Sequence, residues 1–580
     1  MKDSNRTLLV LVDSRRKDAY PDVERGVLAA LVHWGMPHQC HDLSKGQPGT
    51  EVLNACAAVI LAQQNLGAAL SDDTARAIAE AVANGVGYVG CDGNVGYMPP
   101  PLQQVAGVRV QDVQPVFGAQ VVDTEHWVGQ WQERGARYRF RRSLEMPHVV
   151  PEMPRVRVLL ESSRHPAMWV TRYGQGRAVQ WALPPGMWHR EVFGHCEGLD
   201  DLLWRAIVWT AQKPFATLPL PPFSTARIEN AIGAHDFVWV GAMHDHGFPP
   251  NVGIFPDDID ALSEIRGQSN FSDRAVHMMR RCVEAGWAEF SPHAATWNRA
   301  YLLYCRADGS EIPSGELSQR LSAVDKQFAR YGIPWARTVN PHYHQLGYNA
   351  LSFLKARGVE FTSSSQLPGE TWEGEHKLWG CAPFGHPGFT ISPLPDSADF
   401  YAVTSGRSHL YTTEQTGPNR YRVCDSAYAL ETDFMWGRTR WQGQCRIDDW
   451  DAMVDAAVRQ IRLGLGSLFF ACPATCEQTI AFVGLDDWGA FWDMVNQRTS
   501  RYERWPALYS DVAAYARAKH RTRLVDANFD GMSITCSLRG APDVPLFLCV
   551  WDDVHGAWVT CRYEEIGPFA RSKQITVPRF

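Results

Sequence analysis

The chain has 580 residues, too many for one ordinary core, and a prior of roughly 150 residues per domain divides it into three or four units. Hydrophobic residues make up 45% and charged residues 21%, which excludes bulk disorder. Lys and Arg total 56 against 63 Asp and Glu, a net charge of −7, so no polyanion-binding surface is advertised and nucleic acid is not an expected partner.

The opening MKDSNRTLLVLVDSRR carries an apolar core shorter than the h-region of a signal peptide, which argues against export. No stretch reaches the ~20 apolar residues of a membrane helix, so a soluble chain and no membrane partner are expected. The 14 cysteines are scattered without the spacing of a disulfide framework, which fits reduced thiols and a cytoplasmic location. From residue 7, TLLVLVD predicts a buried strand, 21–34 a helix, AAVILA (57–62) a second strand and 71–84 a helix with Ser71 as N-cap and Gly85 as stop. GVGYVG, AVQWAL and a helix over Gly198–Gln212 complete a flavodoxin-like α/β domain over 1–215, since strands alternating with helices imply a parallel sheet.

The proline-rich KPFATLPLPPFST reads as a linker. Beyond it, seven short apolar runs (ARIENAI, PPNVGIF, WAEFSPH, PWARTVNPH, VEFTSS, DFYAVTS and LGSLFFACP) alternate with helical stretches, among them GELSQRLSAVDKQFARYG, whose Leu317, Leu321, Val324 and Phe328 share one face. This pattern predicts a (β/α)7-type barrel over 216–520. From 521, SITCSLRG, PLFLCVWDD and GAWVTCRYEE alternate apolar and polar residues, the mark of antiparallel strands, and predict a small β-sandwich over 521–580. The architecture expected is therefore multidomain α/β.

In barrels the loops at the carboxyl ends of the strands carry the chemistry. There the sequence places Arg227, Glu229, Asn230, His235 and Asp236 after the first strand, His293 after the third, and His342 and His344 after the fourth. A carboxylate and two imidazoles from separate strands would make an open site for a borderline divalent ion such as zinc. His342 and His344 alternate, so only one faces inward, and Glu229 can instead pair with Arg227, two residues away on the same face. His386 lies in a Gly/Pro-rich segment of the kind that lids a barrel. Cys91 in GYVGCDGNVG stands where an amidotransferase-like fold puts its nucleophile, but the prolines that follow argue for an ordinary buried thiol.

The order ARIEN, HGFPPNVGIF, SPHAATW, a Pro-His loop, a helix and GVEF resembles the polysaccharide deacetylase (NodB-like) superfamily, and the N-terminal domain with its closing WRAIVWTAQKP resembles class I glutamine-amidotransferase-like domains. The resemblance implies a distorted (β/α)7 barrel, a divalent metal held by Asp, His and His, and a neighbouring Asp as base. Its paired aspartates fall on Glu229 and Asn230 and its first histidine on His293, while Trp297 stands where the second histidine is usual. The metal set carried forward is His293, His342 and His344, with Glu229 or Asp236 as base and Arg227, Asn230, Trp297 and His386 as substrate contacts. The function implied is a metal-dependent hydrolase removing an acyl group from an amino sugar or a related amide. Asn230 and Trp297 leave open a silent carbohydrate-binding or scaffold protein, and Glu229 with Asp236 a metal-free glycoside hydrolase. Assembly into a homo-oligomer is implied by the amidotransferase-like resemblance alone.

Overall fold

Leu8–Val12 (β1) and Ala58–Leu61 (β3) are unbroken runs of buried apolar side chains, as strands covered on both faces of a parallel sheet require. His38–Asp42 (β2), Gly87–Gly90 (β4) and Gly176–Trp181 (β9) lie parallel in the same sheet. The helix Asp72–Ala83 (α1) starts where Ser71 accepts the backbone N–H of Thr74 at 3.2 Å, and a second helix, Asp200–Thr210 (α2), is buried throughout. The computed structural model describes residues 4–579 apart from 190–191, 196, 257–270, 295–302, 307–310, 343–346, 363–386, 395–396, 408–414, 418–419, 422–449, 482 and 555–557, and only the backbone over 387–421. Trp297, His344 and His386 lie outside the described residues. Two units are formed, Met1–Pro219 with Ala518–Phe580, and Leu220–Arg517.

In the first unit the parallel strands continue into an antiparallel half made of Val108–Val121 (β5), Arg137–Pro151 (β6), Arg157–Ser162 (β7) and His165–Tyr173 (β8), giving a nine-stranded mixed sheet of order β2-β1-β3-β4-β9-β8-β7-β5-β6. The tail is antiparallel, as its period-two pattern predicts, but it is not self-contained. Thr522–Phe529 takes Ser4–Asn5 as an edge strand, and Leu546–Val554 pairs with Phe215–Thr217. The expectation of reduced thiols throughout is corrected here: Cys549 and Cys561, on neighbouring strands of one hairpin, form a disulfide. Among the described residues no helix is long and apolar enough to cross a membrane.

The second unit is built on parallel strands. Ala226–Ala231 (β10), Pro250–Ile254 (β11), Glu289–Pro292 (β12) and Ala474–Cys476 (β17) make one sheet of order β12-β11-β10-β17. Thr338–Val339 (β13), Phe361–Thr362 (β14), Pro387–Leu394 (β15) and Ser397–Arg407 (β16) make another, parallel except for β15. The two join where the Ala336 N–H donates to the Phe290 carbonyl at 2.9 Å and that of His342 to the His293 carbonyl at 3.0 Å. Closure into a barrel is not among the described pairings. The last strand falls just after the predicted LGSLFFACP, because Trp450–Gly466 is helical up to that point. The helix Ser314–Tyr331 buries Leu317, Leu321, Val324 and Phe328, the face that its spacing predicts.

Candidate functional site

Parallel register aligns Arg227 with Asn251 and Glu289, Ile228 with Val252 and Phe290, and Gly253 with Ser291. Side chains alternate across a strand, so Ile228, Val252, Ile254 and Phe290 fall on one apolar face, while Arg227, Glu229, Asn251, Glu289 and Ser291 share the other. That second face is largely polar on β10, β11 and β12, unusual for a parallel sheet buried on both sides. At its amino-terminal floor Glu289 accepts from Asn251 Nδ2 at 2.7 Å, the Ser510 N–H at 3.1 Å and the Ser510 hydroxyl, whose oxygen also lies 2.9 Å from Thr338 Oγ1. Burial pushes the Glu289 carboxyl up to about 7.

Above the floor Arg227 and Glu229 form an ion pair. At the carboxyl end His293 and His342 meet, His293 Nε2 lying 2.8 Å from His342 Nδ1 while His293 Nδ1 lies 2.5 Å from the carbonyl of Asn340. Both rings are buried, and Phe255 lays its ring edge-on to each with centroids 5.4 Å apart. Gly253 makes room for this pair, since a Cβ there would stand 2.9 Å from His293 Nδ1. Burial pushes His293 down to about 4; the charge of Glu229 and the Asn340 carbonyl oppose the shift and Arg227 adds to it. The ring is therefore neutral at pH 7, and the hydrogen bonds fix the protons. A carbonyl only accepts, so His293 Nδ1 carries its proton. His293 Nε2 then accepts from His342 Nδ1–H, which places the lone pair of a neutral His342 ring on Nε2.

The loop after β10 is held in a strained form. His235, Asp236 and Phe237 have φ of 47°, 53° and 61°, a left-handed turn that costs roughly 1–2 kcal/mol per residue. Glu477, fully buried just after β17, holds it by accepting the N–H of Ile232, the N–H of Ala234 at 2.9 Å and Trp239 Nε1 at 3.1 Å. Asp236, expected as a base, takes the Ser272 hydroxyl at 2.5 Å and stands 3.7 Å from Arg274. Ser272 in turn caps the helix Asp273–Glu284, so the contacts of Asp236 are those of a loop anchor. Glu229 pairs with Arg227, the alternative raised by their spacing. These contacts give the two-carboxylate glycosidase reading no support. Asn230 adopts φ 55°, is buried, and donates from Nδ2 to Cys476 Sγ at 3.3 Å.

Of the expected metal set, the structure brings His293 and His342 together. Two imidazole nitrogens on one tetrahedral zinc, each at 2.0–2.1 Å, stand roughly 3.3 Å apart, both with lone pairs turned to the ion. The 2.8 Å contact is hydrogen-bond length, and both His293 nitrogens are engaged. Among the described residues no group of three or more His, Cys, Asp or Glu is placed to hold a metal ion. The described side chains therefore do not fit the zinc centre implied by the resemblance. In the first unit Cys91 is buried, and burial pushes its thiol up to about 12, so a thiolate nucleophile does not form there near neutrality.

Asn340, Ser291, Glu289 and Gly253 were not singled out from the sequence. The signal that could have found them is a polar residue at every second position of otherwise apolar strands, as in PNVGI, EFSPH and TVNPH.

No family model matches the chain, and no curated protein matches it. Among solved structures it is similar to a candidate polysaccharide deacetylase from Mycobacterium smegmatis (10% identity over 53% of this chain and 96% of that one, TM-score 0.31). A β-galactosidase from Rahnella sp. R3 overlaps at 15% identity over 37% of this chain and 34% of that one, with TM-score 0.27. PurLQS from Thermotoga maritima overlaps at 14% identity over 35% and 98%, with TM-score 0.25. Overlaps of this size assign neither a family nor an activity.

Proposed function

We propose that the second unit is a hydrolase of the polysaccharide-deacetylase type of reaction, cleaving the amide of an N-acyl amino sugar or a related small amide, with His342 Nε2 as general base. The observation that carries this reading is the relay from the Asn340 carbonyl through His293 to His342, which fixes the His342 tautomer and ring orientation. Nε2 takes a proton from water as the water oxygen bonds to the acyl carbon. The same proton then passes to the departing nitrogen as the C–N bond breaks, leaving a carboxylic acid and a free amine. Glu229 is close enough to raise the affinity of the adjoining His293 for a proton. No step is assigned to a metal ion, because His293 has no lone pair to give.

The test is acetate release from N-acetylated oligosaccharides by the full chain. His342→Ala is expected to lower kcat by roughly 10²–10⁴-fold with the fold intact, and prior treatment with chelator to leave the rate unchanged. Full turnover by His342→Ala overturns the proposal. So does activity that chelator removes and zinc restores.

A further inference from the structure

The carboxamide of Asn340 is fully buried at the carboxyl end of β13, and among the described residues neither Nδ2 nor Oδ1 has a hydrogen-bond partner. Asn340 alternates with Thr338, whose hydroxyl meets Ser510 on the polar face, and with His342, whose ring meets His293 there. The backbone of Asn340 is tied down on both sides, its N–H to Ser291 Oγ at 3.3 Å and its carbonyl to His293. In the other sheet of the unit, Asn230 of β10 spends its Nδ2 on Cys476 while its buried Oδ1 has no hydrogen-bond partner among the described residues. A buried polar group left without a partner costs about 1–3 kcal/mol, so each of these carboxamides is a group that a ligand can complete.

The pattern they offer is one donor and two acceptors, all uncharged. An ester oxygen or a carboxylate can take the donor but has no hydrogen for the acceptors. A secondary amide has both: its carbonyl accepts from Asn340 Nδ2, and its N–H donates to Asn340 Oδ1 or Asn230 Oδ1. We propose that Asn340, with Asn230, is the specificity-determining element of the site, selecting N-acyl over O-acyl groups. This rests on the hydrolase reading for the identity of the site, but it concerns binding and is tested apart from turnover.

The probes are a β-1,4-linked N-acetylglucosamine tetramer and a glucose tetramer of the same linkage bearing 2-O-acetyl groups, which differ only in NH against O. Their dissociation constants are measured by calorimetry on the full chain carrying His342→Ala, so that neither probe is consumed. The N-acyl tetramer is expected to bind tenfold or more tighter, and Asn340→Ala added to that chain to bring the two within about twofold. Where Asn340→Ala fails to fold, Asn340→Asp is read instead, with the same collapse of the ratio. Equal binding of the two probes, binding of neither, or an unchanged ratio in a folded Asn340 variant overturns the proposal. A clear N-acyl preference in a protein that never releases acetate keeps the recognition and discards the hydrolase reading; acetate release without preference does the reverse.

Discussion

The two units end their parallel strands in opposite ways. In the first, the acids and amide at the carboxyl ends of β1, β3 and β4 are closed on their surroundings: Gln63 spans the Asp13 backbone with bonds of 2.7 and 3.1 Å, the Asp13 carboxylate is forked by Arg15, and fully buried Asp92 accepts the N–H groups of Asn65, Gly67 and Asn94. In the second, Glu477 and Glu289 are held in the same manner, yet among the described residues the carboxamides of Asn340 and Asn230 above them, and Asn251 Oδ1 beside Glu289, keep polar atoms without a hydrogen-bond partner. These ends of the first unit are satisfied by the chain itself; those of the second are the ones proposed above to be completed by a ligand. Buried polarity alone therefore does not mark a functional site. What marks it is polarity that the chain does not itself satisfy.

This contrast can be broken at matched positions. Removing the clamps should give the largest effects. Glu477→Ala strips acceptors from Ile232, Ala234 and Trp239, and Asp92→Ala from three backbone N–H groups. Each should lose about 3 kcal/mol in denaturant unfolding, but only Glu477→Ala, which releases the strained loop at the mouth, should also lower turnover per folded molecule. Acid should act next. His293 is held near 4 against about 6.5 in the unfolded chain, so its contribution is complete above pH 6.5 and is lost as pH falls through 4, up to about 3 kcal/mol. Unfolding midpoints from pH 8 to 4 check this, and His293→Gln should flatten the slope.

The glycines form the third pair. Gly253→Ala drives a methyl into the His293 ring, and Gly90→Ala drives one into Gln180. Both should cost roughly 1–3 kcal/mol, with kcat falling tenfold or more for Gly253→Ala alone. The smallest effect belongs to the floor. Glu289 is raised by burial to about 7 from an ordinary 4.5, so its contribution is complete below pH 4.5 and is lost as pH rises through 7. Glu289→Gln should match the parent at pH 5 and exceed it at pH 8 by on the order of 1–2 kcal/mol, once discounted for solvent screening at its half-buried position.

Much of this plan was legible in the residues. Buried parallel strands announce themselves as apolar runs, so TLLVLVD and AAVILA fall where Leu8–Val12 and Ala58–Leu61 form, and the Ser71 cap and the 314–331 stripe follow from side-chain spacing. Histidines just past strands placed His293 and His342 at the same end of neighbouring strands. What stayed hidden depends on partners distant in sequence. His38–Asp42 is a polar edge strand defined only by pairing to β1, and the β5–β6 hairpin, with Pro115, Pro147 and the Arg-rich RYRFRR, lacks a clean alternation. The N-terminal partners of the tail strands are more than about 330 residues away in the chain. Asn340 was not singled out in the sequence; only its position between Thr338 and His342 on a polar face gives it a role.

The central claim is that His342 is held as a neutral base by a neutral His293. Nitrogen-15 NMR of histidine-labelled protein at pH 7, with His293→Gln and His342→Gln to assign the two rings, reads it directly. Both rings should be neutral with the proton on Nδ1 and a bare Nε2. A proton on His342 Nε2, a cationic ring, or nitrogens shifted by a bound metal would contradict it.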